Sequence, residues 1–267
     1  MKNNRPAFAL ANSIIVASAA IMFTATSMSA AILGDASSYA ILGGSGVTFA
    51  SEANYVTGYV GSYPTDTITG SETVAGISID NTNASAARTS LLSAISYLNT
   101  LTITNIDYIT TGALTTGTLY AGVYDLGSSA SITGTITLDA GGSNNAIFVF
   151  IIDSTLTTAA SSLVTITNGS ASVYWVVGSS ATLGSYSTLV GNVLAVESIG
   201  IGTYATLYGR ALAESAVTLD GSSTVDNSDA LDGLTIVPEP SAYALIGSSL
   251  MLGFAAMRRK SARRKIA

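Results

Sequence analysis

The sequence predicts a mainly β chain wound into a solenoid with a single α-helix, and three observations predict it. Short alternating runs broken by Gly, Asn and Ser fill most of the chain, as expected of strands bounded by turns. One stretch alone has helical spacing. Near the C-terminal end of the body, a segment repeats itself at a fixed step, which is the signature of stacked structural units.

The repeat aligns Leu183-Gly184-Ser185-Tyr186-Ser187-Thr188-Leu189-Val190-Gly191 with Ile201-Gly202-Thr203-Tyr204-Ala205-Thr206-Leu207-Tyr208-Gly209, an offset of 18. Leu219-Asp220-Gly221-Ser222-Ser223-Thr224-Val225 follows at the same step. Leu183, Ile201 and Leu219 form one apolar column and Leu189, Leu207 and Val225 another. If both columns point inward, alternation along a strand sends Thr188, Thr206 and Thr224 outward, with Tyr186, Tyr204 and Ser222 beside them. Gly184, Gly191, Gly202 and Gly209 mark candidate corners, where that parity can break.

The helix is expected from about Asn83 to Asn99, because Ala84, Ala87, Leu91, Ala94, Ile95 and Leu98 recur at spacings of three and four. Asn81, Thr82 and Asn83 offer caps. From Thr100 to Thr137 threonine is the commonest residue, and its branched Cβ suits a pleated surface. Trp175 lies in the apolar run Val173–Val177 and reads as core, and Arg210 is expected to pair with a neighbouring carboxylate.

Composition excludes much chemistry. The chain has no Cys and no His, which removes disulfides, the usual triads and the usual zinc sites. Asp125, Asp139, Asp153, Glu197, Glu214 and Asp220 share no spacing and read as solvated surface, and Asp226, Asp229 and Asp232 as an acidic linker rather than a calcium site. We therefore expect no enzyme, no cofactor and no metal. Between Ile32 and Val237 only Arg88 and Arg210 oppose 15 carboxylates, a formal charge of −13, so nucleic acid is a poor partner.

The two ends read as addresses. Lys2 and Arg5 precede an apolar run from Ala7 to Phe23 and the small residues Ser27–Ala31, the pattern of a secretory signal cut after Ala31, with Ala30 as the alternative. At the other end Val237-Pro238-Glu239-Pro240 precedes the apolar segment Ser241–Met257 and the basic cluster Arg258-Arg259-Lys260. That apolar segment is near the lower limit of length for a membrane span. The tail resembles the PEP-CTERM sorting signal of Gram-negative bacteria in all three parts, with Pro238, Glu239 and Pro240 as the sorting motif; a plain anchor is the alternative. The resemblance implies an exported protein, handled by signal peptidase and an exosortase, held transiently in the inner membrane and destined for the cell surface or extracellular matrix. The expected layout is thus a signal peptide (1–31), a body (32–236) and a sorting tail (237–267).

The body resembles the bacterial and fungal ice-binding family through five ordered stretches: Ser38–Leu42, Leu119–Tyr124, Asn145–Phe150, Asp153–Thr158 running on to Val176–Gly184, and Gly209–Ala213. That resemblance implies a right-handed discontinuous β-helix with one α-helix packed alongside, and ice or ordered water as the partner. It also implies a flat face of threonines and small residues. Strands about 4.7–4.9 Å apart and alternate residues about 6.6–6.8 Å apart give such a face two repeats comparable to those of ice. Thr188, Thr203, Thr206, Ser222 and Thr224, with Tyr186 and Tyr204, are the candidate face. The motif Thr203-Tyr204-Ala205-Thr206 departs from the family pattern at its tyrosine, and two such rings would roughen the face. Outward tyrosines suit sugar stacking, so a matrix protein binding exopolysaccharide is the alternative function.

Overall fold

The computed structural model describes residues 28–50, 53–70, 74–103 and 112–227. Most of the expected signal peptide and the whole sorting tail, Pro238, Glu239 and Pro240 included, lie outside the described residues. The described chain opens with α1 (Met28–Leu33) and a 3-10 turn (Gly34–Ser38), then β1 (Tyr39–Gly43), β2 (Gly46–Phe49), β3 (Tyr55–Ser62), β4 (Ile68–Thr69) and β5 (Ala75–Ile79). Next comes α2 (Ala84–Leu98).

After α2 the chain coils in threes. The first triplet is β6 (Ala113–Leu114), β7 (Gly117–Tyr120) and β8 (Gly122–Asp125), and the second β9 (Ala130–Ile132), β10 (Thr135–Asp139) and β11 (Ala146–Ile152). β12 (Leu156–Thr158), β13 (Leu163–Thr167) and β14 (Ala171–Val177) form the third, and β15 (Ala181–Leu183), β16 (Thr188–Val190) and β17 (Asn192–Ala195) the fourth. β18 (Ile199–Ile201), β19 (Thr206–Tyr208) and β20 (Ala211–Ala213) form the fifth, followed by β21 (Ala216–Leu219) and β22 (Thr224–Asp226).

Parallel pairing of like members of each triplet builds three faces around one core. One runs β7-β10-β13-β16-β19-β22-β3-β5; we call it the tyrosine face, for Tyr120, Tyr208 and Tyr55 on its outer side. A second, β8-β11-β14-β17-β20-β1-β3, is the helix face, and the third, β4-β2-β21-β18-β15-β12-β9-β6, the small-residue face. β3 belongs to the first two, pairing with β22 through Tyr55–Thr57 and with β1 through Tyr59–Ser62. It turns between them at Gly58, whose φ of +121° favours glycine.

The mainly β solenoid with one long helix is the architecture the sequence predicted. Both apolar columns of the repeat are inside: Leu183, Ile201, Leu219, Leu189, Leu207 and Val225 are buried. The sequence did not reveal that the two ends of the body share one coil. β21 and β22 supply its small-residue and tyrosine faces, while β1 supplies its helix face, inserted between β20 and β3. α2 makes this possible by carrying the chain from β5, at one end of the stack, back to β6–β8 at the other.

Coil size follows the core residues. In the wide coils Tyr124, Phe150 and Trp175 stack in sequence with ring centroids 5.1 and 4.0 Å apart. Trp175 is core as expected, and its indole N–H donates to the Val190 carbonyl at 3.0 Å. In register with Trp175 come Val193, Ala211 and Ile41, smaller side chains that fit narrower coils at native packing density.

α2 buries the six residues its spacing predicted, against Leu42, Val149, Tyr174, Val176, Leu194 and Leu212 on the outer side of the helix face. Asn83 is its N-cap residue but makes no side-chain cap bond. The Asp80 carboxylate instead orders the turn that leads into the helix, accepting from the backbone N–H groups of Thr82 (2.9 Å) and Asn83 (3.3 Å) and from the Asn83 amide (3.0 Å). These bonds, that of the Asn83 side chain foremost, hold the Asp80 carboxyl below the usual carboxylate range. Tyr39 donates its hydroxyl proton to the Asp80 backbone carbonyl at 2.9 Å. Burial, then the nearby Asp80 charge, push its pKa up to about 12.

Candidate functional site

Thr188, Thr206 and Thr224 are in register on β16, β19 and β22, and their half-buried side chains lie on the outer side of the tyrosine face. Their row is interrupted on both sides. Thr188 pairs with Leu163 and Thr224 with Tyr55, both exposed. The neighbouring row holds Thr165, Tyr208 and Asp226 but is broken by the buried Val190, so this face is uneven.

The other candidates lie off the face. Thr203, Tyr186, Tyr204 and Ser222 fall in the corner turns between the small-residue and tyrosine faces, not in strands. The turn Gly184–Ser187 closes with Ser187 N–H donating to the Gly184 carbonyl at 3.1 Å, and Gly202–Ala205 closes the same way at 2.9 Å. Tyr186, Tyr204 and Ser222 have φ of +61°, +58° and +58°, the left-handed geometry a type II turn demands of its third residue. Parity breaks there, so the rings stand at a corner rather than at a strand position of either face. Tyr186 and Tyr204, 62% and 52% exposed, stack on each other with centroids 5.0 Å apart and planes 17° apart, each covering one side of its neighbour as a sugar would.

The most regular surface among the described residues is the small-residue face. Each of seven coils contributes a small–apolar–small tripeptide: Thr67-Ile68-Thr69, Gly46-Val47-Thr48, Ala216-Val217-Thr218, Ser198-Ile199-Gly200, Ser180-Ala181-Thr182, Thr155-Leu156-Thr157 and Ser129-Ala130-Ser131. The middle residues point into the core. The third residues stack in strict register, Thr69–Thr48–Thr218–Gly200–Thr182–Thr157–Ser131. The first residues make a parallel row, tied by backbone bonds such as Leu156 N–H to the Ser180 carbonyl (3.1 Å) and Ala130 N–H to the Thr155 carbonyl (2.8 Å).

Neither row contains an aromatic, charged or long side chain. Hydroxyls pair from coil to coil, Thr69 donating to Thr48 at 3.3 Å and Thr155 to Ser129 at 3.1 Å. At Gly200 a Cβ would meet no atom within 4 Å, so the gap in the threonine row is a missing side chain rather than a crowded position. At about 4.8 Å per coil the array is about 29 Å long, with rows about 6.7 Å apart.

Such a surface offers hydroxyls that both donate and accept, on stiff β-branched side chains that lose little freedom when water orders around them. It holds no carboxylate pair or nucleophile–base couple of the kind catalysis uses. Among the described residues no three Asp or Glu side chains come together as metal ligands.

A family model described as ice-binding-like matches residues 15–225. The chain belongs to the ice-binding-like family. An ice-binding protein of Nostoc sp. (strain HG1) is 38% identical over 92% of this chain and 93% of its own. The solved ice-binding protein of the Antarctic ascomycete Antarctomyces psychrotrophicus is 40% identical, with a TM-score of 0.67 over 73% of this chain and 96% of that one. An ice-binding protein from an Arctic yeast, solved to explain its antifreeze activity, is 26% identical, with a TM-score of 0.64 over 73% of this chain and 92% of its own.

In this ice-binding-like chain the array was present in the sequence, but its period changes. The third residues of the tripeptides step by 26 from Ser131 to Thr157, by 25 to Thr182, then by 18 to Gly200 and 18 to Thr218. A search for one fixed offset finds only the last coils, where the corner tyrosines are the more conspicuous feature. The tripeptide pattern itself is the signal that finds the rest.

Proposed function

We propose that this chain is an exported ice-binding protein and that it engages ice through the small-residue face, rather than through the row holding Thr188, Thr206 and Thr224. The observation that carries the reading is the pair of parallel rows of Thr, Ser, Ala and Gly, seven coils deep and free of large side chains. Family membership and the ice-binding relatives support ice binding itself.

The mechanism is cumulative. Ordering one surface water costs between zero and about 2 kcal/mol, so one hydroxyl gains little from it. A rigid array bears that cost only where neighbouring waters share a lattice. Two repeats, about 4.8 Å along the stack and about 6.7 Å between rows, allow ordered water over the whole face to match a crystal plane. Curvature inhibition of ice growth then follows from irreversible adsorption of many such faces.

Export belongs to the same proposal, on the signal-like residues 1–31 and the three-part tail with Pro238, Glu239 and Pro240. Among the described residues no helix is long and apolar enough to cross a membrane; the expected span, 241–257, lies outside them. The deciding experiment is ice recrystallisation in the presence of the purified chain. Crystals should stay small at micromolar protein, and coarsening indistinguishable from buffer at high concentration would overturn the reading.

A further inference from the structure

Both ends of the solenoid, before β1 and after β22, lie on a single edge. At the C-terminal side Asn227 follows β22, and its N–H donates to the Thr57 carbonyl at 3.2 Å, beside the Gly58 turn from the tyrosine face to the helix face. At the N-terminal side Ser37 precedes β1, and its carbonyl accepts from Arg210 Nε at 2.9 Å. Arg210 is buried between β19 and β20, on that same edge, and also donates to the Asn192 side chain at 2.8 Å. In a three-sided solenoid the edge shared by two faces lies opposite the third. The chain therefore leaves from the back of the small-residue face, and the sequence after Asn227 runs on to the apolar segment and basic cluster at its end.

From this placement we infer that the chain works as an ice adhesin while attached to a support through its C-terminal end, beyond Asn227: the body points its small-residue face away from whatever anchors it and fastens that support to ice. The inference rests on the small-residue face being the ice-binding surface, and adds the orientation and the tethered mode of action. A protein acting only in free solution needs no particular relation between its ends and its face. A tethered one fails if the tail leaves beside the face, because the support then blocks the crystal.

The absence of cysteine makes the test clean. Full chains carrying a single cysteine, Asn227→Cys at the exit or Thr182→Cys in the face, are coupled to maleimide beads, and bead capture by slowly growing ice is counted. Thr157→Cys serves as a second face position should Thr182→Cys not fold, judged by circular dichroism. Capture of the Asn227→Cys beads should exceed that of the face-coupled beads by about tenfold or more. Equal capture from both attachments, or Asn227→Cys beads no better than bare ones while the same chain free in solution binds ice, overturns the inference. If the free wild-type chain does not bind ice, the underlying reading falls and the inference with it.

Discussion

Gly200 shows how much one residue decides on a surface built by repetition. It occupies the fourth place in the row Thr69–Thr48–Thr218–Gly200–Thr182–Thr157–Ser131 and opens a gap of one side chain. Its φ is not positive and a Cβ there meets nothing, so threonine fits the existing backbone. Gly200→Thr should raise ice activity measurably and stabilise the fold by up to about 1 kcal/mol, through a stiffer unfolded chain and a better strand former; recrystallisation and thermal melting read the two effects. Tyr39 is the residue whose titration reports on folding. Its pKa of about 12 lies above the value near 10 of an unfolded tyrosine. The stability it adds is complete below pH 10 and is lost as pH rises through 12. Tyr39→Phe should lose about 1 kcal/mol at neutral pH with the hydrogen bond to Asp80. It should also show a shallower fall in stability between pH 10 and 12 in denaturant titrations.

At the scale of strands and turns, what was legible followed from local repetition. α2 was readable because Ala84, Ala87, Leu91, Ala94, Ile95 and Leu98 keep helical spacing whatever they pack against. The last coils were readable because they share one length, the 18-residue step from Leu183 to Ile201 to Leu219. The earlier ones were not, because β11 and β14 are seven residues long where β17 has four and β20 three, which throws the tripeptides out of step. Strand parity also misplaced Tyr186 and Tyr204, since no alternation rule anticipates a left-handed corner filled by tyrosine rather than glycine. Such a conformation costs a non-glycine residue about 1–2 kcal/mol, which the stacked rings offset in part. Replacing both with glycine should therefore change stability by no more than about 1 kcal/mol in chemical denaturation. Ice activity should stay within twofold of wild type, because the corner lies outside both rows.

For the whole molecule, the sequence predicted the class of fold but not its closure. Nothing local in Tyr39–Gly43 says that it will sit between β20 and β3, because parallel neighbours as distant in sequence as Ile41 and Ala211 are chosen by the shape of the finished stack. That closure puts both ends on one edge and leaves the small-residue face unobstructed. The claim that this face, and not the threonines of the tyrosine face, meets ice is tested most directly by roughening each face in turn. Thr182→Tyr and Thr206→Tyr introduce the same ring at outward strand positions of the same solenoid, with little packing to lose at either. Measured side by side for ice recrystallisation, with circular dichroism confirming the fold of both, Thr182→Tyr should lower activity about tenfold, the equivalent of about 1.4 kcal/mol, while Thr206→Tyr leaves it near wild type. The reverse result, loss at Thr206 and none at Thr182, would contradict the account.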